Sequence, residues 1–551
     1  MIRIYTSRPT IKSCRTVLFS AVQVAGLSSS PESFLGGKSG SPCNLLLPIL
    51  LLLLLSGISQ AQSNYASFEL QRENNWDPLV LEDMNGDGGK DIVVSHFDPE
   101  IGRELHIYHQ QVGGRYNANP QRVEIKTEII AVGFADVRRE PGTELVLFAN
   151  NGVFSLSTAI EGYAGNLKLL AEWDLIASIP NQDQVHFTNL PVDINDDGHI
   201  DLVLPGDENY GIFLGHGDER FTQAMTFSTL NEDITPIQRS RSNAEVDANL
   251  GINAEQGVLV EINLKAPTPF DGFVEVWDQQ ADLNQALLES EQWLPTVNLI
   301  NLNQDELLDI VYLNAGDNGL GRINIHLQDQ QTLFSSVPDW SGDIDSRGDV
   351  KLTDMNGDGL ADLLRLSGDG NQWEARFYIN RGGSFTFQTP DQVMRLSGYE
   401  MAVNVVMVEP EETVLSVSYY TVPVVDVIRN ASIERTQLIY SRDPDLVFVR
   451  RPSSRLQERF SADNVRGLSE QIALHYDING DGRNDALYVT TNGTLAAKAI
   501  DSNLQIASAP FWEYVSPRTV FEFEVLPLNN DGRPDLLLRH GTTTSLLVAQ
   551  P

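Results

Sequence analysis

Asp83-Met84-Asn85-Gly86-Asp87-Gly88-Gly89-Lys90-Asp91 runs straight into Ile92-Val93-Val94, and this nine-residue pattern returns three times in full. The copies place Asp193, Asn195, Asp197, Gly198 and Asp201, then Asp354, Asn356, Asp358, Gly359 and Asp362, then Asp477, Asn479, Asp481, Gly482 and Asp485 at identical offsets. Two partial copies keep the rhythm. Asn301, Asn303, Asp305 and Asp309 retain the oxygens without the glycine, and Asn529, Asp531, Gly532 and Asp535 retain the end after Pro527. A further copy at 136–144 keeps only Asp136 and Glu144 and is expected to bind nothing. A single acidic bend of this kind is an ordinary solvated turn. Four bends that repeat three acids, one amide and one glycine at fixed offsets point to a shared ligand.

The spacing suits a hard cation. Calcium takes six to eight oxygens, and a curled loop offers side chains from positions 1, 3, 5 and 9. Position 7, held by Gly89, His199, Leu360 and Arg483, would contribute its carbonyl. Glycine at position 6 allows the backbone to turn back around an ion. Magnesium fits less well, because it demands octahedral geometry and dehydrates reluctantly. An EF-hand would need a bidentate Glu at position 12, where this chain has Val94, Leu204, Arg365 and Tyr488. Four to six structural calcium sites are therefore expected, on the four full loops and the partial loops at 301 and 529.

Each loop lies between short apolar runs, such as Pro78-Leu79-Val80-Leu81 before it and Asp201-Leu202-Val203-Leu204 after it, which suit buried strands. Each loop thus joins two strands of a hairpin. First positions fall at 83, 136, 193, 301, 354, 477 and 527. This is a period of about fifty residues with two gaps of near double length, the mark of a repeat architecture. Units of this size, all strand and turn, predict an all-β chain folded as a single β-propeller of four-stranded blades. Residues 257–280 and 413–442 read as hairpins whose ion loops have decayed, which brings the raw count to nine units. Propellers commonly have four to eight blades, so seven or eight are favoured, with an irregular insertion within 215–295 or within 395–455. Tyr65–Leu70 is positioned to complete the last, three-stranded unit and close the ring.

The loops at 83, 193, 354 and 477, with their flanking strands, resemble the FG-GAP or VCBS repeats of bacterial secreted proteins and integrin alpha-chain propellers. The resemblance covers nearly all of residues 62–551. It implies a propeller with calcium in the hairpin between the first two strands of a blade.

Residues 45–55 form a leucine-rich apolar run followed by Ser56-Gly57-Ile58-Ser59-Gln60-Ala61, with Arg3, Arg8, Lys12, Arg15 and Lys38 upstream. This reads as a signal peptide over 1–61 with an extended leader, since the run is too short to span a membrane. The expected product is secreted, periplasmic or associated with the cell surface, with no membrane anchor after cleavage. Both cysteines, Cys14 and Cys43, would leave with the leader, which excludes disulfide and thiol chemistry. With 75 acidic against 38 basic residues and a net charge of −37, the surface would repel nucleic acid. High net charge also favours a soluble monomer.

Other signals are read as structural. Arg347-Gly348-Asp349 is a three-residue match to an integrin-recognised motif and is assigned to a turn before a strand. The nine His residues show no zinc spacing; His106 and His109, three apart on a strand, point to opposite faces. The seven Trp residues are expected mostly between blades. No nucleophile elbow, phosphate-binding loop or dinucleotide fingerprint occurs. The expected function is an exported, calcium-binding, non-catalytic module for a protein or a glycan. The alternative is a carbohydrate-active propeller enzyme, a polysaccharide lyase or glycosidase, which rests on fold analogy alone.

Overall fold

A computed structural model describes residues 65–550 apart from 72–78, 112, 176–182, 207–208, 218, 232, 235–251, 254–257, 260–273, 277–279, 284–285, 289–292, 306, 317, 330–332, 411, 422–431, 445, 462–471 and 530. The leader over 1–61, with both cysteines and the apolar run, lies outside the described residues. No described helix is long and apolar enough to cross a membrane.

The described strands form a β-propeller of eight blades. Blade 1 comprises Leu79–Glu82, Asp91–Asp98, Gly102–Tyr108 and Gln121–Glu124; blade 2, Ile129–Ala135, Glu144–Ala149, Gly152–Leu156 and Lys168–Ala171. Blade 3 comprises Pro191–Val192, Asp201–Pro205, Tyr210–Gly215 and Phe221–Phe227; blade 4, Val297–Ile300, Asp309–Ala315, Leu320–His326 and Trp340–Asp345. Blade 5 comprises Asp349–Thr353, Asp362–Asp369, Gln372–Tyr378 and Gln392–Ser397; blade 6, Tyr399–Glu409, Glu412–Thr421, Ser432–Ser441 and Ser454–Ser461. Blade 7 comprises Ala473–Tyr476, Asp485–Val489, Leu495–Lys498 and Trp512–Tyr514. Blade 8 takes Glu522–Leu526, Asp535–His540 and Thr543–Ala549 from the end of the chain and Tyr65–Gln71 from its beginning.

Burial peaks in the middle strands: Asp201–Pro205 is wholly buried, whereas the first strand of that blade, Pro191–Val192, is only partly so. Ile129–Ala135 and Glu144–Ala149 are almost wholly buried, whereas Gln121–Glu124 and Phe221–Phe227 expose alternate or successive residues. In the radial sheets of a propeller the first strand is the axial edge and the fourth the peripheral one. Middle strands are buried on both faces, which explains their continuous apolar runs. Successive residues point to opposite faces, so each strand serves two neighbours. Val93, Leu105 and Ile107 of blade 1 pack on Val132, Leu145 and Leu147 of blade 2. Leu364 and Phe377 of blade 5 pack on Val403, Leu415 and Val417 of blade 6. Leu487 and Val489 of blade 7 pack on Leu536, Leu538 and Leu547 of blade 8. Trp173 stands edge-on to Phe213, and Trp340 packs on Phe385 and Phe387, in keeping with tryptophans as packing groups.

The ninth unit of the raw count dissolves. Within 215–295, Val258–Leu259 pairs with Ile252–Asn253, and Val274–Val276 lies parallel to Val297–Ile300. Gln280–Asp282 then pairs antiparallel with Asp349–Thr353, so one insertion adds a fifth strand to the axial edges of blades 4 and 5. Within 257–280 the described residues 258–259, 274–276 and 280 thus each pair outside that stretch. The window 395–455 instead belongs to blade 6, where 413–442 spans the second and third strands. The position of the missing ion loop is the tight turn that pairs Glu409 with Glu412.

Ring closure rests on seven register pairs between Tyr65–Gln71 and Thr543–Ala549. Leu70 is buried, and Phe68 packs on Tyr108 and Tyr116 of blade 1. Leu70→Ala is expected to lower unfolding stability by about 2–4 kcal/mol, as other buried leucine truncations do. Urea denaturation followed by intrinsic fluorescence measures the loss.

Candidate functional site

The acidic loops all connect the first and second strands of their blades, so they sit at one rim of the ring. Local geometry follows from short polar side chains that accept the loop's own amides. In the loop of blade 5, Asp354 Oδ1 accepts Gly357 N–H at 2.6 Å and Oδ2 accepts Gly359 N–H at 2.9 Å. Asn356 Oδ1 accepts Asp358 N–H at 2.8 Å, and Asp358 Oδ1 accepts Leu360 N–H at 2.9 Å. The same bonds recur in blade 7, from Gly480 and Gly482 to Asp477, Asp481 to Asn479, and Arg483 to Asp481. They recur in blade 1 around Asp83, Asn85, Asp87 and Gly89, and in blade 3 around Asp193, Asn195, Asp197 and His199. The partial loops keep a subset, through Asn301, Asn303 and Asp305 in blade 4 and through Asn529 and Asp531 in blade 8.

Position 6 has φ of 83° at Gly359 and 91° at Gly482, the left-handed region expected for its glycine. Position 4 turns the same way, which the sequence reading missed. Glycine occupies it in three full loops, but Asp196 and Gln304 adopt φ of 56° and 69° with a side chain present.

The ninth position differs in kind. Asp91, Asp201, Asp309, Asp362 and Asp535 are fully buried, and Asp485 nearly so. One oxygen of Asp362 accepts Met355 N–H at 2.9 Å, from loop position 2; the other accepts Asn380 N–H at 2.8 Å, just past the third strand. Asp201 makes the corresponding pair with Ile194 and Gly215, Asp309 with Leu302 and Gln328, and Asp535 with Leu528 and Ala549. Asp91 does so with Met84 and Gln110, and its Oδ2 also lies 2.8 Å from His109 Nδ1. Asp91 holds the His109 imidazolium above its ordinary range. Asp485 accepts Ile478 N–H at 2.9 Å and the Asn479 side-chain amide at 3.3 Å.

Burial pushes these carboxyls up, to about 6 for Asp201, Asp485 and Asp535 and about 7 for Asp309 and Asp362. The acids at positions 1 and 5 of the same loop push in the same direction for Asp201, Asp362 and Asp485. Each full loop carries three carboxylates, one amide oxygen and the position-7 carbonyl, an all-oxygen set whose chemistry suits a hard divalent cation. The three carboxylates remain farther apart than a tight cluster. Among the described residues, the one trio of His, Cys, Asp or Glu side chains with ligating atoms all within 4.8 Å of one another is His96, Glu104 and His106.

In the degenerate copy, Glu144 takes over the ninth position. Its Oε2 accepts Val137 and Arg138 N–H, both at 3.1 Å, while Asp136 stands at position 1. Arg483 at position 7 of blade 7 turns outward to Glu409 and Glu412 at the loop-free turn of blade 6, both at 2.7 Å. Arg347 of the Arg-Gly-Asp motif is paired with Asp345 at 2.8 Å, and Asp349 opens a strand, which bears out the turn reading.

Beyond the loops, an open pocket of about 560 Å³ is lined by Asn151, Phe154, Leu169, Glu172, Trp173 and Asp174, at the edges of blades 2 and 3. Neither composition nor motif indicated it, since its residues converge from separate strands and turns.

No protein-family model matches the chain, and no curated protein sequence does. Among solved structures, an Agrocybe aegerita lectin described in its specific recognition of non-reducing terminal N-acetylglucosamine is 14% identical. The match covers 73% of this chain and 81% of the lectin, with a TM-score of 0.29. Saccharomyces cerevisiae Sqt1 is 11% identical over 89% of this chain and 99% of its own, with a TM-score of 0.37. At those scores neither superposition bears on function.

Glu144 is fully buried, and its carboxyl is pushed up to about 7, first by burial. The unfolded chain then releases this proton before the folded one does, so its contribution falls as pH rises from about 4.5 to about 7 and is flat above. Glu144→Gln should therefore lose about 2 kcal/mol less stability than wild type between pH 5 and pH 7. Chelator-treated protein and chemical denaturation at several pH values measure the difference.

Proposed function

We propose that the protein is an exported, calcium-binding β-propeller of the FG-GAP or VCBS kind that acts as a non-catalytic module for a protein or a glycan. The observation that carries this reading is the recurrence of one oxygen-only donor set, with a buried ninth-position carboxylate, in loop after loop. Asp354, Asn356, Asp358, Asp362 and the Leu360 carbonyl would hold one ion, and the corresponding residues at 83, 193 and 477 three more. The partial sets at 301 and 529 would bind more weakly, having fewer carboxylates. In blade 1 the ninth-position Asp91 is also engaged by His109 Nδ1 at 2.8 Å, a contact the other loops lack.

The cation's role is structural. It relieves repulsion among carboxylates that the chain forces together, and its binding free energy becomes folding free energy. Export rests on the leucine-rich run at 45–55 and its small-residue flank. A ligand-binding role is supported by the open pocket beside Trp173, where Phe154, Leu169 and Trp173 share the lining with Asn151, Glu172 and Asp174. Flat apolar patches edged by carboxylates and amides suit polar ligands with one apolar face, as pyranose rings have.

Calcium is expected to raise the melting temperature well above that of chelator-treated protein, by an amount that grows with the logarithm of calcium concentration. Asp358→Ala should remove one equivalent of bound calcium by calorimetry and leave the other sites intact. A melting temperature indifferent to calcium would sink the proposal. A glycan array read with and without calcium tests the ligand class.

A further inference from the structure

Blade 1 carries a second cluster of ligand-bearing side chains, built differently from the acidic loops. Strands Asp91–Asp98 and Gly102–Tyr108 pair antiparallel with His96 opposite Glu104 and Val94 opposite His106. Directly opposed residues share a face, and so do residues two apart, so this register brings His96, Glu104 and His106 to one side of the sheet. The two imidazole rings stack with centroids 4.2 Å apart and an interplanar angle of 28°. Glu104 Oε2 lies 3.2 Å from His106 Nε2. Glu104 and His106 are only 4% and 7% exposed, whereas His96 is partly open to solvent. One ligating atom from each of the three falls within 4.8 Å of the others.

We propose that His96, Glu104 and His106 form a binding site for a divalent transition-metal ion of the zinc class, separate from the oxygen loops. Two imidazole nitrogens and one carboxylate oxygen are a donor set that zinc, cobalt and nickel take readily and calcium does not. A tetrahedral zinc with ligands at about 2.0–2.2 Å sets neighbouring donors roughly 3.3 Å apart, close to the Glu104–His106 separation already present. A fourth position would face the solvent beside His96 and be filled by water.

The outermost strand sets Glu124 beside Glu104 and Arg122 beside His106. The extra carboxylate favours a cation there and the guanidinium opposes it. The ion would cross-link the second and third strands of blade 1 near the Asp98–Gly102 turn, roughly 16 Å along the strand from Asp91. That turn lies at the rim opposite the acidic loops. Tyr108, on the same face, touches Phe68 of the closing strand, so the site stands on the side of blade 1 turned to the ring's seam.

The test uses the whole folded protein saturated with calcium, which fills the oxygen loops and leaves the nitrogen site to report alone. Cobalt titration should produce visible d–d bands that saturate at one equivalent and vanish on addition of zinc. His96→Ala removes a partly exposed ligand; it should leave the melting temperature of the metal-free protein unchanged and weaken zinc binding at least tenfold by calorimetry. His106→Gln, which keeps a hydrogen-bonding group in the buried position, should do the same. Crystals grown with zinc should show anomalous density between the three side chains. Absence of a stoichiometric cobalt spectrum, zinc affinity unaltered by His96→Ala, or zinc density only at the acidic loops would each overturn the proposal.

Discussion

A buried carboxylate, supplied by the ninth residue of each loop, joins parts of a blade that the β-ladder alone does not tie together. In five of the six loops one oxygen takes the amide of the second loop residue and the other an amide at the end of the third strand, so a single side chain spans three consecutive elements; Asp485 bonds within its own loop instead. Both amides would otherwise be buried without an acceptor, at a cost of about 1–3 kcal/mol each. The price is a charge held away from water. Desolvation pushes Asp201 up to about 6 and Asp362 up to about 7, so burial works against their ionised form. The arrangement is thus poised toward protonation or toward a counter-ion, and the proposed calcium reading uses that poise.

The pattern of decay around the ring supports a division of labour within the loop. Where Arg138 and Pro141 stand at the third and sixth positions, in blade 2, Glu144 still occupies the ninth position and still accepts two amides. The peg therefore outlasts the ligand set. Blade 6 lacks the loop altogether and replaces it by a tight turn, whose two glutamates are met by Arg483 from the next blade. A buried carboxylate that ties loop to strand and an interblade ion pair are two solutions to one problem: how to hold the same rim of neighbouring sheets together on a strongly acidic protein.

Closure and irregularity concentrate on particular segments. The outer strand of blade 8 comes from residues 65–71, so the two halves of that blade are joined by strand pairing instead of a covalent turn, and Phe68 extends the seam to blade 1. The insertion between blades 3 and 4 bridges the axial edges of blades 4 and 5 through Val274–Val276 and Gln280–Asp282. It uses edge amides and carbonyls that a regular propeller leaves facing its central channel.

The acidic loops were legible because their geometry is local: every bond from positions 1, 3 and 5 is made within nine residues, and the period of the repeats disclosed the blades. The insertion and the blade number were not, since Val274–Val276 looks like any β-branched strand until a partner at Val297 is chosen for it. The two His and one Glu of blade 1 were hidden for the same reason. His96 and His106 stand ten residues apart and match no metal-ligand spacing, and only the register across the turn at 98–102 sets them side by side. Short-range hydrogen bonding can be read from residue order, whereas cross-strand partnership is fixed by which sheets bury which faces, a property of the folded chain as a whole.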